Sequence, residues 1–198
     1  MAVAEAMTSA KDPVYDGIGM LLTRPSIDFH WYLHSLNIQT FLDGSGPHVR
    51  DMLAANPAAV LLRGYRTDWL ASEDHSFIAD NYVPLADDFL VLGKILPAGG
   101  GEFQISRAGR YRVAPLEDSV IAGAGAGSRT AGGESGLQGG AILDGKPTSG
   151  SVVEFSVGRH RLETPPGCQP TVVWVGPRLE RPPRLDQHAH EGLFVNWY

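Results

Sequence analysis

The chain has 198 residues, 43% of them apolar, and a formal net charge of −6, enough to bury an ordinary core in one domain or two small ones. That charge gives no general attraction to nucleic acid or anionic membrane, because the densest basic run is only Arg159, His160 and Arg161. A single cysteine, Cys168, excludes an internal disulfide and a cysteine metal site, and no apolar run approaches the roughly 20 residues that cross a bilayer.

Taken in order, Met1 to Asp12 is Ala-rich and reads as a loose tail or a helical lead-in, without the basic start and apolar middle of a signal peptide. Val14, Ile18, Leu21 and Leu22 recur at helical spacing and predict a short helix over Val14 to Thr23, weakened by Gly17 and Gly19. Ser26 to Leu42 suits either one helix or a strand followed by a helix. Asp43-Gly44-Ser45-Gly46-Pro47 is a break. Pro47 then opens a helix at its first position, with Val49, Met52 and Leu53 inward and Asn56-Pro57 at its end. Ala58 to Leu62 is a continuous apolar run of strand length, as expected of a strand covered on both faces. After Gly64, Thr67 or Asp68 is placed to cap a helix carrying Leu70, Phe77 and Ile78. Strands follow at Tyr82 to Leu85 and Phe89 to Leu92.

This helix, strand, helix, strand order predicts a small α/β layer over residues 1–96. Pro97 and the glycines at 99 to 101 mark a boundary. Residues 97–198 change character: Phe103, Ile105, Tyr111 and Val113 alternate around Ala108-Gly109, and the alternation returns in Val153-Phe155-Val157 and Val172-Trp174. That two-residue period predicts a β-sandwich-like domain with one buried face. The expected class is therefore α+β. Residues 122–140, dominated by Gly, Ala and Ser, predict a surface loop, Asp144-Gly145 a hairpin turn, Gly158 to His160 a tight corner, and Thr164 to Gly167 another turn. A proline-rich arm and a last short strand at Leu193 to Val195 complete the chain.

Several stretches invite chemistry. Gly140 to Pro147 nearly spells a phosphate-binding loop, but Pro147 replaces the hydroxyl that would hold magnesium and the surroundings are hairpin-like. Gly123 to Gly127 imitates a dinucleotide fingerprint without the flanking strand and helix. His30 with His34, and His188-Ala189-His190-Glu191, offer metal-ligand types but no third converging partner, so no metal or other cofactor is expected. No Gly-x-Ser-x-Gly elbow occurs, and Cys168 has no neighbouring base. Trp174 reads as core. Asp68 and Trp69 follow a strand at the end where open α/β layers place ligands. With Asp74 they form the candidate ligand-binding set, and no catalytic residue is assigned.

Pro57 to Leu62, Phe77 to Leu85 and Phe89 to Gly93 together resemble the soluble region after the last membrane helix of bacterial polytopic glycosyltransferases of the dolichyl-phosphate-mannose protein mannosyltransferase type. Phe103-x-Ile105 with Gly109 and Tyr111, Leu143-Asp144-Gly145, and Val157-Gly158 with His160 and Leu162 are similar to the small β-domain that ends such proteins. The resemblance implies the periplasmic, C-terminal part of an inner-membrane enzyme, whose catalytic acids lie on loops this chain lacks. The expected role is then a non-catalytic accessory domain that positions a glycan acceptor or lipid-linked sugar beside the membrane-embedded portion, with no nucleic-acid partner. Two rivals stand beside it. One is a free-standing soluble enzyme, cytoplasmic if the chain is complete, using Asp68, Asp74 and neighbouring histidines as acid/base groups between the two domains. The other is a purely structural interaction module.

Overall fold

The computed structural model describes residues 2–16, 21–27, 38–116, 140–148, 152–183 and 185. Its elements run α1 (Ala2–Met7), β1 (Val14–Tyr15), α2 (Ile38–Leu42), α3 (Val49–Ala55), β2 (Val60–Leu62), a 3-10 turn (Tyr65–Trp69) and α4 (Ser72–Asn81). Strands β3 (Tyr82–Ala86), β4 (Phe89–Ile95), β5 (Gly100–Ile105), β6 (Gly109–Pro115), β7 (Ala141–Leu143), β8 (Lys146–Thr148), β9 (Val152–Phe155), β10 (Gly158–Glu163) and β11 (Pro170–Trp174) follow. The fold is α+β, as expected, and its strands form two open sheets.

The larger sheet has the order β1-β2-β4-β11-β6-β9, with β3 also paired to β4; the smaller is β5-β10-β7-β8. Residue alternation divides the large sheet into two buried faces. Tyr15, Leu61, Leu90, Leu92, Val172 and Trp174 face one core, shared with Val49 and Leu53 of α3, Ile78 of α4, and Phe103, Ile105 and Leu162 of the small sheet. Val14, Val60, Val83, Val91 and Val173 face the other, covered by Ala4 and Met7 of α1. All five residues of β11 are buried, and the hydroxyl of Thr171 among them donates to the Ala114 carbonyl at 3.1 Å.

The division expected between 1–96 and 97–198 runs through this sheet. Strand β4 is hydrogen-bonded to β11, with Gly93 opposite Val173 and Ile95 opposite Thr171. Strands β5 and β6, whose alternation flanks Ala108-Gly109, lie in different sheets: β5 pairs with β10 and β6 with β11 and β9. The connection is a corner held by Arg107. Its guanidinium pairs with Asp12 and lies 5.4 Å from the Trp174 ring centre, while its carbonyl accepts the Tyr111 hydroxyl at 2.7 Å. Gly109 sits here at φ +146, and a Cβ added there would lie 2.5 Å from Trp174 Cζ3. Gly158 makes another crossing, from β9 in the large sheet to β10 in the small one.

Three local expectations are corrected. Val14 and Tyr15 form a strand parallel to β2, with Val14 opposite Val60; the helical spacing of Val14 and Leu21 was outweighed by that pairing, and Leu22 is 73% exposed. Helix α3 starts at Val49 with His48 at its N-cap, so Pro47 lies one residue outside it. Between Gly64 and α4 a separate 3-10 turn intervenes, and Ala71 is the N-cap of α4. The lead-in is helical, since α1 buries Ala4 and Met7 completely. The loop expected over residues 122–140, all but its last residue, and the strand at Leu193 to Val195 lie outside the described residues.

Candidate functional site

Strand β2 ends at Leu62, and the chain leaves the sheet through Gly64 into the 3-10 turn. Thr67 closes that turn: its Oγ1 donates to the Gly64 carbonyl at 2.6 Å, and its backbone N–H donates to the same oxygen at 2.9 Å. Thr67 and Leu70 are buried, which anchors the turn to the body of the fold. Asp68 is exposed, Trp69 is half-buried and packed against the main core, and Tyr65 is 63% exposed.

Tyr65 and Trp69 are four residues apart and meet edge to face, with ring centres 5.9 Å apart and planes at 83°. The Arg66 guanidinium lies 5.5 Å from the Tyr65 ring centre and 5.8 Å from that of Trp69. Its Nε donates to the Tyr65 hydroxyl at 3.0 Å. The result is an L-shaped aromatic corner on the surface, stiffened by a cation over its rings, with the Asp68 carboxylate on the same turn.

Asp74 has a different setting. It lies in the first turn of α4 and is 2% exposed. Its Oδ1 accepts the Arg50 backbone N–H at 2.9 Å and its Oδ2 lies 3.4 Å from His48 Nδ1. Because the His48 side chain makes no cap, Asp74 satisfies an otherwise open donor at the start of the neighbouring helix α3. Of the three candidate residues, Asp68 and Trp69 lie on one turn and Asp74 holds two helices together.

The sequence reading missed Tyr65 and Arg66. The signal was the i, i+4 spacing of Tyr65 and Trp69, which faces two rings toward each other once the segment turns. It also missed the contact of His160 with Asp144, whose partners are 16 residues apart. The other aromatic candidates divide: Trp174 is buried in the core, as expected, while Trp31, Tyr32, Trp197 and Tyr198 lie outside the described residues. So do His30, His34, His188, His190 and Glu191. Among the described residues no three His, Cys, Asp or Glu side chains converge as a metal site would require.

The stretch resembling a phosphate-binding loop is a hairpin. Asp144 and Gly145 take φ values of 50° and 77°, the left-handed pair of a tight two-residue turn, and β7 and β8 pair antiparallel around them. Among the described residues, a niche by Lys94, Gln104 and Tyr111 has room for about one water. Lys94 Nζ donates there to the Asp80 carbonyl at 2.7 Å and to Asn81 Oδ1 at 2.8 Å, closing the C-terminal end of α4. Burial draws the Lys94 ammonium below its ordinary pKa against the opposing pull of Asp80. No helix among the described residues is long and apolar enough to cross a membrane. No protein-family model, curated protein or solved structure matches this chain.

Proposed function

We propose that this chain is a non-catalytic carbohydrate-positioning module, with the surface of Tyr65, Arg66, Asp68 and Trp69 as its binding face. The observation that carries the reading is the edge-to-face corner of exposed Tyr65 and half-buried Trp69. A sugar ring presents an apolar C–H face and a rim of hydroxyls. Two rings at nearly a right angle offer the first an apolar seat, and the Asp68 carboxylate offers the second an acceptor. The cation over the rings reduces the entropy lost when a ligand settles there, because the corner is already ordered.

The resemblance of residues 57–93 and 103–162 to the C-terminal region of membrane glycosyltransferases supplies the setting. The module acts at the periplasmic side of an inner-membrane protein, presenting a glycan acceptor or lipid-linked sugar to the membrane-embedded part. The acid/base rival needs Asp68 and Asp74 to work together, whereas both Asp74 oxygens face the start of α3.

The test is a glycan-array and lipid-linked-sugar binding screen on the whole chain, with Tyr65→Ala and Trp69→Ala. Tyr65 is the cleaner probe, since Trp69 also packs against the core. The expected result is binding that Tyr65→Ala weakens about tenfold, the loss of one stacking contact of about 1–1.5 kcal/mol. Absence of binding to every sugar, or binding indifferent to both substitutions, would overturn the reading.

A further inference from the structure

His160 lies on β10 with its side chain 12% exposed. Its ring is set between Phe155, centres 5.0 Å apart and edge to face, and Phe103, centres 5.9 Å apart. Both nitrogens have partners. Nδ1 is 2.8 Å from Oδ2 of Asp144, in the β7–β8 turn, and Nε2 is 3.0 Å from the carbonyl of Ser156, in the corner between β9 and β10. Carboxylate and carbonyl oxygens only accept, and a neutral imidazole has one N–H to give. Only the doubly protonated ring satisfies both contacts.

The hairpin is also anchored by Ala141, which is fully buried, and by Leu143, which packs against the main core. Among the described residues β8 pairs with β7 alone, and β7 pairs with β10 at Leu143–Leu162 and Ile142–Glu163. Asp144 adds to this: its N–H donates to the Arg161 carbonyl at 2.9 Å and its Oδ1 accepts the Arg161 N–H at 2.8 Å. One carboxylate therefore joins the hairpin to the body through both a backbone amide and an imidazolium.

We propose that His160 is a pH-controlled latch: protonated, it clamps the β7–β8 hairpin to the β9–β10 corner, and on losing a proton it releases one of the two. A neutral ring keeps a single N–H, so either Asp144 or the Ser156 carbonyl then faces a lone pair. This inference is independent of the carbohydrate reading.

The electrostatics agree in sign. Burial alone would lower the His160 pKa, but its hydrogen bonds to Asp144 and the Ser156 carbonyl and the Asp144 charge outweigh it and raise it above the ordinary value. Burial alone would raise the Asp144 pKa, but the bonds from His160 and the Arg161 N–H, with the charges of His160 and Lys146, hold it below the usual carboxylate range. Of the other charged groups nearby, Arg161 is paired with Glu163 at 3.0 Å and Arg159 lies 3.9 Å from Glu102. The raised histidine contributes stability in full below about pH 6.5 and loses it as pH rises through its folded-state pKa. The depressed aspartate contributes above about pH 4 and loses its share as pH falls through its own folded-state pKa. The latch is thus fully closed between roughly pH 4 and 6.5 and opens on the alkaline side.

The test combines an NMR titration of the His160 ring with hydrogen exchange of the whole chain at pH 5.5 and 8.5, read as protection factors, with β11 amides as reference. The expected result is a His160 midpoint above that of an unperturbed histidine, with protection of the Asp144 amide falling about three- to tenfold at the higher pH, the worth of one net hydrogen bond. His160→Gln should make that protection independent of pH, and Asp144→Asn should lower the His160 midpoint. A midpoint at or below the ordinary value, protection unchanged between the two pH values, or the same fall in His160→Gln would overturn the latch.

Discussion

At the scale of single residues, the exposed and the buried carboxylates of the candidate set do different work. Asp74 is buried with both oxygens directed at the start of α3, so Asp74→Ala leaves the Arg50 N–H without its acceptor. The expected cost is about 1–2 kcal/mol, as for loss of a helix cap, measured as a lower urea midpoint with an unchanged slope. Asp74→Asn, which keeps an acceptor oxygen, should recover part of it. A midpoint equal to that of the parent chain would mean that water serves Arg50 equally well. From the sequence, Asp68 and Asp74 were two acids on one predicted helix. What separates them is that Asp68 lies on a separate 3-10 turn and is exposed, whereas Asp74 lies on the side of α4 that meets α3, a matter on which neither residue's neighbours in the chain bear.

At the scale of elements, the chain crosses between the sheets repeatedly, and two of these crossings sit at glycines of positive φ, Gly109 and Gly158. At Gly109 the tolerance is lowest, because an added Cβ would meet the ring of a Trp174 that is itself buried. Trp174 is held edge to face with Tyr111 at 5.4 Å, and its Nε1–H donates to the Met7 carbonyl at 3.1 Å, so it has little room to yield. Gly109→Ala combines an unfavourable backbone angle with overpacking, and the expected destabilisation is at least about 2 kcal/mol. A loss of near-ultraviolet tryptophan dichroism should accompany it; an unchanged spectrum and midpoint would show that the corner yields freely. The alternation on either side of Ala108-Gly109 was legible in the sequence as two strands with one buried face. That they belong to different sheets was not, because a period of two records which face is buried and says nothing about the partner strand.

At the scale of the whole molecule, β4 and β11 join the halves: the last strand described, 75 residues beyond Ile95, pairs with the fourth. The core on one side of the large sheet contains residues from Tyr15 to Trp174. Unfolding in urea should accordingly be one transition, coincident by far-ultraviolet dichroism and tryptophan fluorescence, and a fragment ending at residue 96 should fail to fold because β4 loses β11. Two separated transitions, or a folded fragment, would refute this. The sequence by itself determined the α+β class, strands within Ala58 to Leu62, Tyr82 to Leu85 and Phe89 to Leu92, and the Asp144-Gly145 turn. Each of these follows from local rules of alternation, apolar run length and turn chemistry. Only the tertiary structure decided that the two expected halves share a sheet, that Val14 is strand, that Asp74 caps a neighbouring helix, and that His160 meets Asp144. Those depend on which surfaces meet, and a contact between residues distant in the chain leaves no periodicity in either segment.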